Sequence, residues 1–554
     1  MRRCLISAAL LLLAGVPVRA DQRTVRVRLF WQHSPSMIRA TPEGAWLRTC
    51  VTCKPAALKS TIKITAENAI VSAGSISSHT VLITGRIRVS GNDFPPFEAK
   101  DELRIQARGG LLLLTLRMPL EEYVSGVLQG EAASFQSDEA LQAMAIAART
   151  YAVRFGSRHR LEGFDFCDTT HCQDLRLDIH SPRARAAVTA TEGELLWFEG
   201  RPAATYYHRS CGGEIEDASA LEPDLHVPYL RRHHDDHCAG TPDEWQSEIS
   251  KSDLSRALGE PVDTLRVVAR SDSGRVQRLI VGGRTVEETE FRLAVGRALG
   301  WDKLRSDLYE EEERGDRVEF HGRGQGHGVG LCQRGAENMG DQGHSYREIL
   351  AYYYPGTTLG INAQGLNWEK LPGESVDLVT TDRNDAPILL PAAERALQFA
   401  MKRTSWDFQT RPQVKVYPTL ATYRDATGEP GWIAGGTFGS VIRLQPIETL
   451  QRTQALDSTL RHEFLHMLIE SHAAPDAPLW LREGLAIYLS DPEAIKPAKG
   501  DPDTLERQLH SARTEEEMRA TYRACAAAVA DAVQKNGLRA VLSRLEQPNA
   551  GRNP

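Results

Sequence analysis

An HExxH sequence is the first group of side chains whose types and spacing could do chemistry. On a helix, His462 and His466 lie on one face, so both imidazoles can bind a single zinc ion, with Glu463 beside the metal-bound water. Glu483 follows in a second predicted helix, at a distance along the chain that suits an antiparallel return. The pattern predicts a zinc site of His462, His466 and Glu483 with an open position, where Glu463 acts as general base. The alternative is a core helix whose histidines satisfy local hydrogen bonds.

Three further candidate zinc ligands crowd into one short segment, namely Cys167, His171 and Cys172. Their spacing could hold Zn²⁺, since thiolates and imidazoles are its usual protein ligands. A fourth ligand is not obvious from the sequence, and His159 and His208 are the candidates. The alternative is a Cys167–Cys172 disulfide in an oxidising compartment.

The periodicity of the chain indicates the elements that position these residues. Alternating apolar and polar residues predict a β-rich N-terminal part over 21–114. Helical signals begin at Leu120, and the clearest helix follows Ser137, a residue type favoured at the N-cap. Strand-like runs then return, so residues 115–360 are predicted to form a mixed α/β core.

The remainder of the chain is predicted to form a second domain. Residues 361–374 carry Asn, Gln, Gly and Pro without periodicity, which is typical of a linker. Residues 375–500 are predicted to be an α+β domain, with helices at 456–471 and 479–490, and residues 501–554 a helical tail. The predicted fold class is therefore α+β and multidomain.

Composition indicates a folded chain. Of 554 residues, 41% are hydrophobic and 25% charged, which argues against a disordered, collagenous or polytopic membrane protein. Lys and Arg number 66 against 73 Asp and Glu, for a net charge of −7, and no basic run occurs. Nucleic-acid binding therefore has no electrostatic support.

The first twenty residues indicate export. Residues 1–20 combine a basic start, an apolar run and a small-x-small ending, the pattern of a cleaved signal peptide. An uncleaved anchor is the alternative, but the apolar run is shorter than the ~20 residues that a span needs. We expect a periplasmic, extracellular or cell-wall location, with no stable membrane span after cleavage.

An oxidising compartment favours disulfides among the remaining cysteines. We expect Cys211 to pair with Cys238, and Cys50 with Cys53 rather than with a zinc ion. The histidine-rich stretch around Asp235 is expected to be a solvated loop.

Six strings between residues 118 and 357 are unusual in composition and order. They are YVSGVLQGE at Tyr123–Glu131, AIAARTY at Ala145–Tyr151, FDFCDTTHCQ at Phe164–Gln173, YHRSCGG at Tyr207–Gly213, GQGHGVGLCQ at Gly324–Gln333 and YYPGT at Tyr353–Thr357. Together they resemble the SpoIID/LytB family, the stage II sporulation protein D and amidase-enhancer proteins, over essentially residues 25–360.

This resemblance implies lytic transglycosylase activity on peptidoglycan, with Glu131 as the catalytic acid/base. One carboxyl protonates the glycosidic oxygen, and the 6-hydroxyl of the sugar attacks the anomeric carbon to give a 1,6-anhydro end. Ordinary glycosidases need a second carboxyl. The family's Glu-Met-Pro motif reads Glu131-Ala132-Ala133 here. We therefore expect a loop of different shape after the catalytic residue.

Other residues of the six strings are candidates for substrate binding: Arg149, Tyr151, His208, His327 and Gln333. Arg149 and Tyr151 could bind substrate or cap helix carbonyls, and His327 could contact sugar or orient Glu131. The alternating glycines around His327 let the backbone approach a ligand closely. Some family members resemble this chain in carrying a Cys/His zinc site near the catalytic Glu.

The helix that carries Glu483 supports a second resemblance. Its string WLREGLA at Trp480–Ala486 resembles the gluzincin-type metallopeptidases, in particular the peptidase MA-like domains, over residues 375–500. The resemblance implies a zincin-like domain in which the Glu of this helix is the third zinc ligand and peptide bonds are hydrolysed.

The leading hypothesis is an exported cell-wall enzyme that cleaves peptidoglycan glycan strands with Glu131 and carries a zinc metallopeptidase-like domain, with zinc as cofactor. The alternative is a non-catalytic peptidoglycan-binding module that enhances a cell-wall amidase or targets the C-terminal metallopeptidase. A binding module has no need of the Glu131 carboxyl. In a third hypothesis the metallopeptidase is the main activity.

Overall fold

The structure, a computed structural model, describes residues 23–546 apart from residues 157, 179–180, 222–225, 241–242, 428, 430, 475–476 and 512–514, and apart from the side chains of residues 425, 510 and 511. The predicted signal segment lies outside the described residues. The chain divides into two compact units, Thr24–Asn367 and the residues from Trp368 onward. Both units combine helices with sheets, which confirms the α+β class.

An eleven-stranded sheet begins the first unit and confirms the predicted β-rich segment. Its strands are β1 (Thr24–Leu29), β2 (Met37–Arg48), β3 (Ala56–Leu58), β4 (Ile62–Glu67), β5 (Ile70–Ala73), β6 (Ile76–Ser78), β7 (Thr80–Ser90), β8 (Phe97–Ala99), β9 (Glu102–Arg108), β10 (Leu111–Pro119) and β11 (Phe166–Cys167). Their order is β11-β1-β10-β9-β7-β2-β4-β5-β6, with β3 beside β2 and β8 beside β7. In β10, Leu112, Leu114 and Leu116 are buried on one face, because side chains alternate along a strand.

Short sheets and helices complete the first unit. The strands are β12 (Leu195–Phe198), β13 (Arg201–Pro202), β14 (Tyr207–His208), β15 (Glu214–Ile215), β16 (His233–His234), β17 (Glu244–Ser250), β18 (Leu265–Arg270), β19 (Val276–Val281), β20 (Arg284–Glu287), β21 (Tyr309–Arg314), β22 (Arg317–Arg323), β23 (Leu331–Cys332) and β24 (Thr358–Gly360). The helices are α1 (Leu120–Glu131), α2 (Asp138–Phe155), α3 (Pro182–Ala190), α4 (Asp236–Ala239), α5 (Lys251–Leu258), α6 (Glu288–Leu299), α7 (Gln333–Asp341) and α8 (Tyr346–Tyr353).

Helix α2 is the centre of this unit. Ser137 caps it as predicted, since its Oγ accepts a hydrogen bond from Ala140 N at 3.2 Å. Buried small residues such as Ala143 and Ala147 let α1, α3, α7 and α8 all pack against it. The strands and helices from β17 to β22 form a separate apolar cluster around Phe291 and Phe320.

The second unit is a five-stranded sheet covered by helices. The strands are β25 (Glu369–Pro372), β26 (Asp377–Thr380), β27 (Gln413–Val416), β28 (Gly435–Phe438) and β29 (Val441–Leu444), in the order β25-β26-β27-β29-β28. The helices are α9 (Ala386–Thr404), α10 (Leu420–Thr427), α11 (Ile447–Arg452), α12 (Leu456–His472), α13 (Leu479–Ser490), α14 (Pro502–Ser511), α15 (Glu515–Asn536) and α16 (Leu538–Leu545). Both helices predicted from the HExxH region are therefore present, as α12 and α13.

Strand β25 falls inside the segment predicted as a linker. It pairs with β26, with Leu371 opposite Leu378, so the backbone there belongs to the sheet of the second unit. None of the described helices is both long enough and apolar enough to cross a membrane.

Candidate active site and metal-binding clusters

Glu131 lies at the C-terminal end of α1, where a close helix-to-loop contact holds its carboxylate. Gly126 and Gly130 face the segment around Asp174, and a Cβ on Gly130 would lie 2.2 Å from the Asp174 carbonyl oxygen. This approach lets Asp174 N donate a hydrogen bond to Glu131 Oε1 at 2.9 Å. Gln333, the first residue of α7, donates from Nε2 to Glu131 Oε2 at 3.4 Å.

The surroundings of Glu131 favour its protonated form. The carboxyl is half-buried, and burial raises its pKa above the ordinary value. The Asp174 amide opposes this effect by donating to the carboxylate, while the Asp174 charge adds to it. Gln333 and the positive charge of Arg209 act in the lowering direction with smaller effect. A carboxyl whose pKa is raised is suited to act as a general acid.

A buried hydrogen-bond chain runs beside this carboxyl. Tyr123 donates its hydroxyl to Gln173 Oε1 at 3.0 Å, and Gln173 Nε2 donates to the Tyr207 hydroxyl at 2.8 Å. Burial and the Glu131 charge raise the pKa of Tyr207 well above its ordinary value, so this hydroxyl stays protonated. Gln173, Asp174 and Tyr207 were not among the predicted site residues. The sequence feature that points to these three residues is their position in or next to the FDFCDTTHCQ and YHRSCGG strings.

The glycine-rich loop before α7 packs against protein rather than against open space. Gly324, Gly326, Gly328 and Gly330 all have positive φ, between 73° and 105°. A Cβ on Gly330 would lie 2.0 Å from the Tyr206 carbonyl oxygen. At these positions the close approach that glycine allows is made to the chain itself.

His208 and His327 lie side by side under this loop, with ring centroids 5.5 Å apart. Val329 joins them, because its carbonyl accepts from His208 Nδ1 at 3.1 Å and its N–H donates to His327 Nδ1 at 3.1 Å. Burial lowers the pKa of His208 well below its ordinary value and that of His327 to about 3. Both rings are therefore neutral at neutral pH. Within the described residues, the side chain that bonds Glu131 is Gln333 rather than His327.

Arg149 and Tyr151 are part of the packing of α2. The Arg149 side chain is buried; its Nη2 lies 2.7 Å from Glu121 Oε2, and its guanidinium donates to the Val188 and Glu194 carbonyl oxygens. Tyr151 is buried among aromatic rings. This placement favours the carbonyl-binding alternative for Arg149 over substrate binding.

Cys167, His171 and Cys172 meet His159, one of the two candidates for a fourth ligand. The sulfur-to-nitrogen distances are 3.6 Å for Cys167 to His171, 3.7 Å for Cys172 to His171, and 3.3 Å for Cys172 Sγ to His159 Nε2. Tetrahedral zinc requires about 3.6 Å between sulfur and nitrogen ligands. The four residues therefore fit a closed Cys₂His₂ zinc site.

The surroundings of this cluster also fit a metal. His159 Nδ1 lies 2.6 Å from Glu162 Oε1, the carboxylate–histidine arrangement that orients zinc ligands. The hydrogen bond between the two thiols lowers the pKa of Cys167 and raises that of Cys172, so the pair gives up one proton readily. Both cysteines are free thiols in the structure, and the predicted Cys50–Cys53 disulfide is present.

In the second unit, α12 and α13 bring His462, His466 and Glu483 together as predicted. His466 Nε2 lies 3.2 Å from Glu483 Oε2, near the ~3.4 Å expected for nitrogen and oxygen ligands of one tetrahedral zinc ion. Burial lowers the pKa of His462 to about 3. For His466, burial acts in the same direction, but the Glu483 charge and hydrogen bond outweigh it and raise the pKa to about 9.

Glu463 is buried beside the three candidate zinc ligands, and a residue of the edge strand β28 holds its carboxyl. Thr437 Oγ1 donates to Glu463 Oε2 at 2.9 Å, and burial raises the pKa of Glu463. A cleft of about 1150 Å³ opens over the three candidate ligands and is lined by β28 and by Tyr522 of α15. The arrangement offers three metal ligands, a neighbouring carboxyl and room for an extended ligand along a strand edge.

Two protein-family models match the first unit. The stage II sporulation protein model, SpoIID, matches residues 109–198, and a domain of unknown function (DUF8618) matches residues 241–330, the region of the separate apolar cluster.

Three named relatives align with a longer part of this chain than the SpoIID model does. Stage II sporulation protein D of Bacillus amyloliquefaciens is 30% identical over 272 residues, which are 44% of this chain and 74% of the relative. The protein of the same name from Bacillus subtilis is 27% identical over 44% of this chain and 74% of its own length. The amidase enhancer of Bacillus subtilis is 26% identical over 43% of this chain and 40% of its own length. The chain belongs to the SpoIID family.

Proposed function

We propose that this protein is an exported cell-wall enzyme that cleaves peptidoglycan glycan strands as a lytic transglycosylase. The observation that carries the proposal is Glu131, a half-buried carboxyl of raised pKa held by Asp174 N and Gln333 Nε2. Membership of the SpoIID family and the amidase enhancer among its relatives support a cell-wall role.

In this reaction Glu131 acts first as acid and then as base. Its carboxyl donates a proton to the glycosidic oxygen as the bond from that oxygen to the anomeric carbon breaks. The resulting carboxylate accepts the proton of the sugar's 6-hydroxyl as that oxygen bonds to the anomeric carbon. The products are a free hydroxyl on one strand and a 1,6-anhydro end on the other, and Glu131 regains its proton. No water is consumed.

The Cys₂His₂ cluster is proposed to hold a structural zinc ion in support of this site. Cys172 directly precedes Gln173 and Asp174, whose hydrogen bonds define the surroundings of Glu131. A zinc ion held by His159, Cys167, His171 and Cys172 would restrain that segment, because all four of its positions are taken by protein ligands.

For the second unit we propose zinc metallopeptidase activity. His462, His466 and Glu483 would hold the ion, which supplies polarisation of a peptide carbonyl and of a water molecule. Glu463 takes the proton of that water, and Thr437 fixes the direction of its carboxyl. The substrate strand is proposed to lie along β28.

A second candidate function is a non-catalytic module that binds peptidoglycan and stimulates a cell-wall amidase. The name of one relative, the amidase enhancer of Bacillus subtilis, favours this function. The two functions differ in whether the Glu131 carboxyl is needed.

Mass spectrometry of purified peptidoglycan treated with wild type, Glu131→Gln and Glu463→Gln tests these proposals. We expect Glu131→Gln to stop the formation of 1,6-anhydro ends and Glu463→Gln to stop cleavage of peptides only. Undiminished anhydro products from Glu131→Gln would contradict the transglycosylase proposal, and absence of such products from wild type would favour the binding module.

A further inference from the structure

A second group of thiols lies in the interior of the first unit. Cys211, Asp235, Cys238 and Cys332 come from three distant parts of the chain, and each has 0% of its surface exposed. Their sulfur and carboxylate oxygen atoms all lie within 4.8 Å of one another. Asp235 is therefore not in the solvated loop that its histidine-rich neighbours predict.

The predicted Cys211–Cys238 disulfide is not formed, since Cys211, Cys238 and Cys332 are all free thiols. A disulfide would use two of the three sulfurs, leave Cys332 out, and remove the contact that Cys211 Sγ makes with the Asp235 carboxylate. Within the described residues, no Lys or Arg side chain forms an ion pair with Asp235. A buried carboxylate without a cation is costly, whereas a divalent cation would use all four groups.

The distances suit a tetrahedral metal. Cys211 Sγ lies 3.3 Å from Asp235 Oδ2, near the ~3.6 Å expected between sulfur and oxygen ligands of one zinc ion. The site is closed to solvent and offers four ligands, as structural zinc sites do.

Backbone amides around the cluster are arranged to stabilise thiolates. Cys211 N donates to Cys332 Sγ at 3.3 Å, Gly213 N to Cys211 Sγ at 3.3 Å, and Gly335 N to Cys332 Sγ at 3.4 Å. Such hydrogen bonds to the ligands are typical of metal sites.

Four further hydrogen-bond donors hold the carboxylate of the cluster, among them His237 N and the Tyr352 hydroxyl, which both donate to Oδ1. The Tyr353 hydroxyl donates to Asp235 Oδ2 at 3.0 Å, while Cys238 N donates to the other oxygen, Oδ1, at 3.2 Å. A Cβ on Gly335 would overlap the Tyr353 hydroxyl, so a larger residue where α7 meets this site would displace that hydroxyl.

We propose that Cys211, Asp235, Cys238 and Cys332 bind a structural zinc ion, distinct from the Cys₂His₂ cluster and from the HExxH site. The ion joins the loop after β14, helix α4 and the junction of β23 with α7. Cys332 immediately precedes Gln333, so the site also determines where the Glu131 hydrogen-bond donor lies.

Zinc content of the full-length protein tests the proposal. Cys332→Ser is the discriminating variant, because a Cys211–Cys238 disulfide does not involve Cys332. We expect it to hold about one zinc ion per chain fewer than wild type, as measured by inductively coupled plasma mass spectrometry. Cys525→Ser, which changes a buried free cysteine of the second unit, is the matched control and should equal wild type. Unchanged zinc in Cys332→Ser overturns the proposal.

A measurement on wild type covers the case in which the variant does not fold. The protein is unfolded in guanidinium with a chelator and without reductant, alkylated with iodoacetamide, and mapped by peptide mass spectrometry. We expect alkylation of Cys211, Cys238 and Cys332 alike. A peptide pair joined through Cys211 and Cys238 would overturn the zinc site.

Discussion

Gln333→Leu gives the most direct test of how the structure sets the acidity of Glu131. Gln333 Nε2 donates to Glu131 Oε2 at 3.4 Å, and this hydrogen bond lowers the pKa that burial raises. Hydrogen bonds to charged groups contribute about 1.5–3 kcal/mol, and the length of this one places it at the lower end. Since about 1.4 kcal/mol corresponds to one pKa unit, removing the donor should raise the pKa of Glu131 by about one unit. Leucine keeps the side-chain volume roughly constant.

The assay is the rate of 1,6-anhydro end formation on purified peptidoglycan as a function of pH, followed by liquid chromatography and mass spectrometry. A general acid must be protonated, so the alkaline limb of the profile follows the pKa of Glu131 and should move upward by about one unit. Gln342→Leu, at the exposed C-terminal end of the same helix, is the control and should keep the wild-type limb. A limb that stays in place or moves downward in Gln333→Leu would refute the reasoning.

Three other predictions concern the remaining groups. Glu131→Gln should reduce anhydro product formation by roughly 10²–10⁴-fold with unchanged circular dichroism, because amide replaces carboxyl at nearly equal volume; an active variant contradicts the role. Arg149→Met should destabilise the first unit by about 3–5 kcal/mol in chemical denaturation, because it leaves a buried ion pair broken; a purely substrate-binding arginine would leave stability unchanged. Glu483→Ala should hold about one zinc ion per chain fewer than wild type, whereas Glu463→Gln should hold as much as wild type. Both variants should lose proteolysis, as measured in a peptide-cleavage assay, and proteolysis by Glu463→Gln would contradict the general-base role.

Local elements were predictable where the determining residues are neighbours. The N-cap at Ser137 depends on one hydroxyl and an amide three residues away. The HExxH helix depends on spacing within one turn, and α12 accordingly presents His462 and His466 together.

Predictions failed or stayed open where partners are distant in sequence. The alternating glycines predict a close backbone approach, but only the structure shows that Gly330 approaches Tyr206, more than a hundred residues earlier in the chain. The oxidising compartment predicts that Cys211 pairs with Cys238. The sequence does not show that Cys332 and Asp235 lie beside these two cysteines, which only the structure reveals.

The sequence by itself determined the family motifs, the β-rich beginning, the α+β class and the identity of Glu131 as the acid to consider. Only the tertiary structure decided that Asp174 and Gln333 hold this carboxyl, that His159 completes the Cys167 cluster, and that Arg149 is internal. Hydrophobic periodicity and helix capping depend on residues within one or two helical turns, so both can be inferred from the sequence alone. Ligand sets and pKa values depend on burial and on contacts made by packing, which no short stretch of sequence contains.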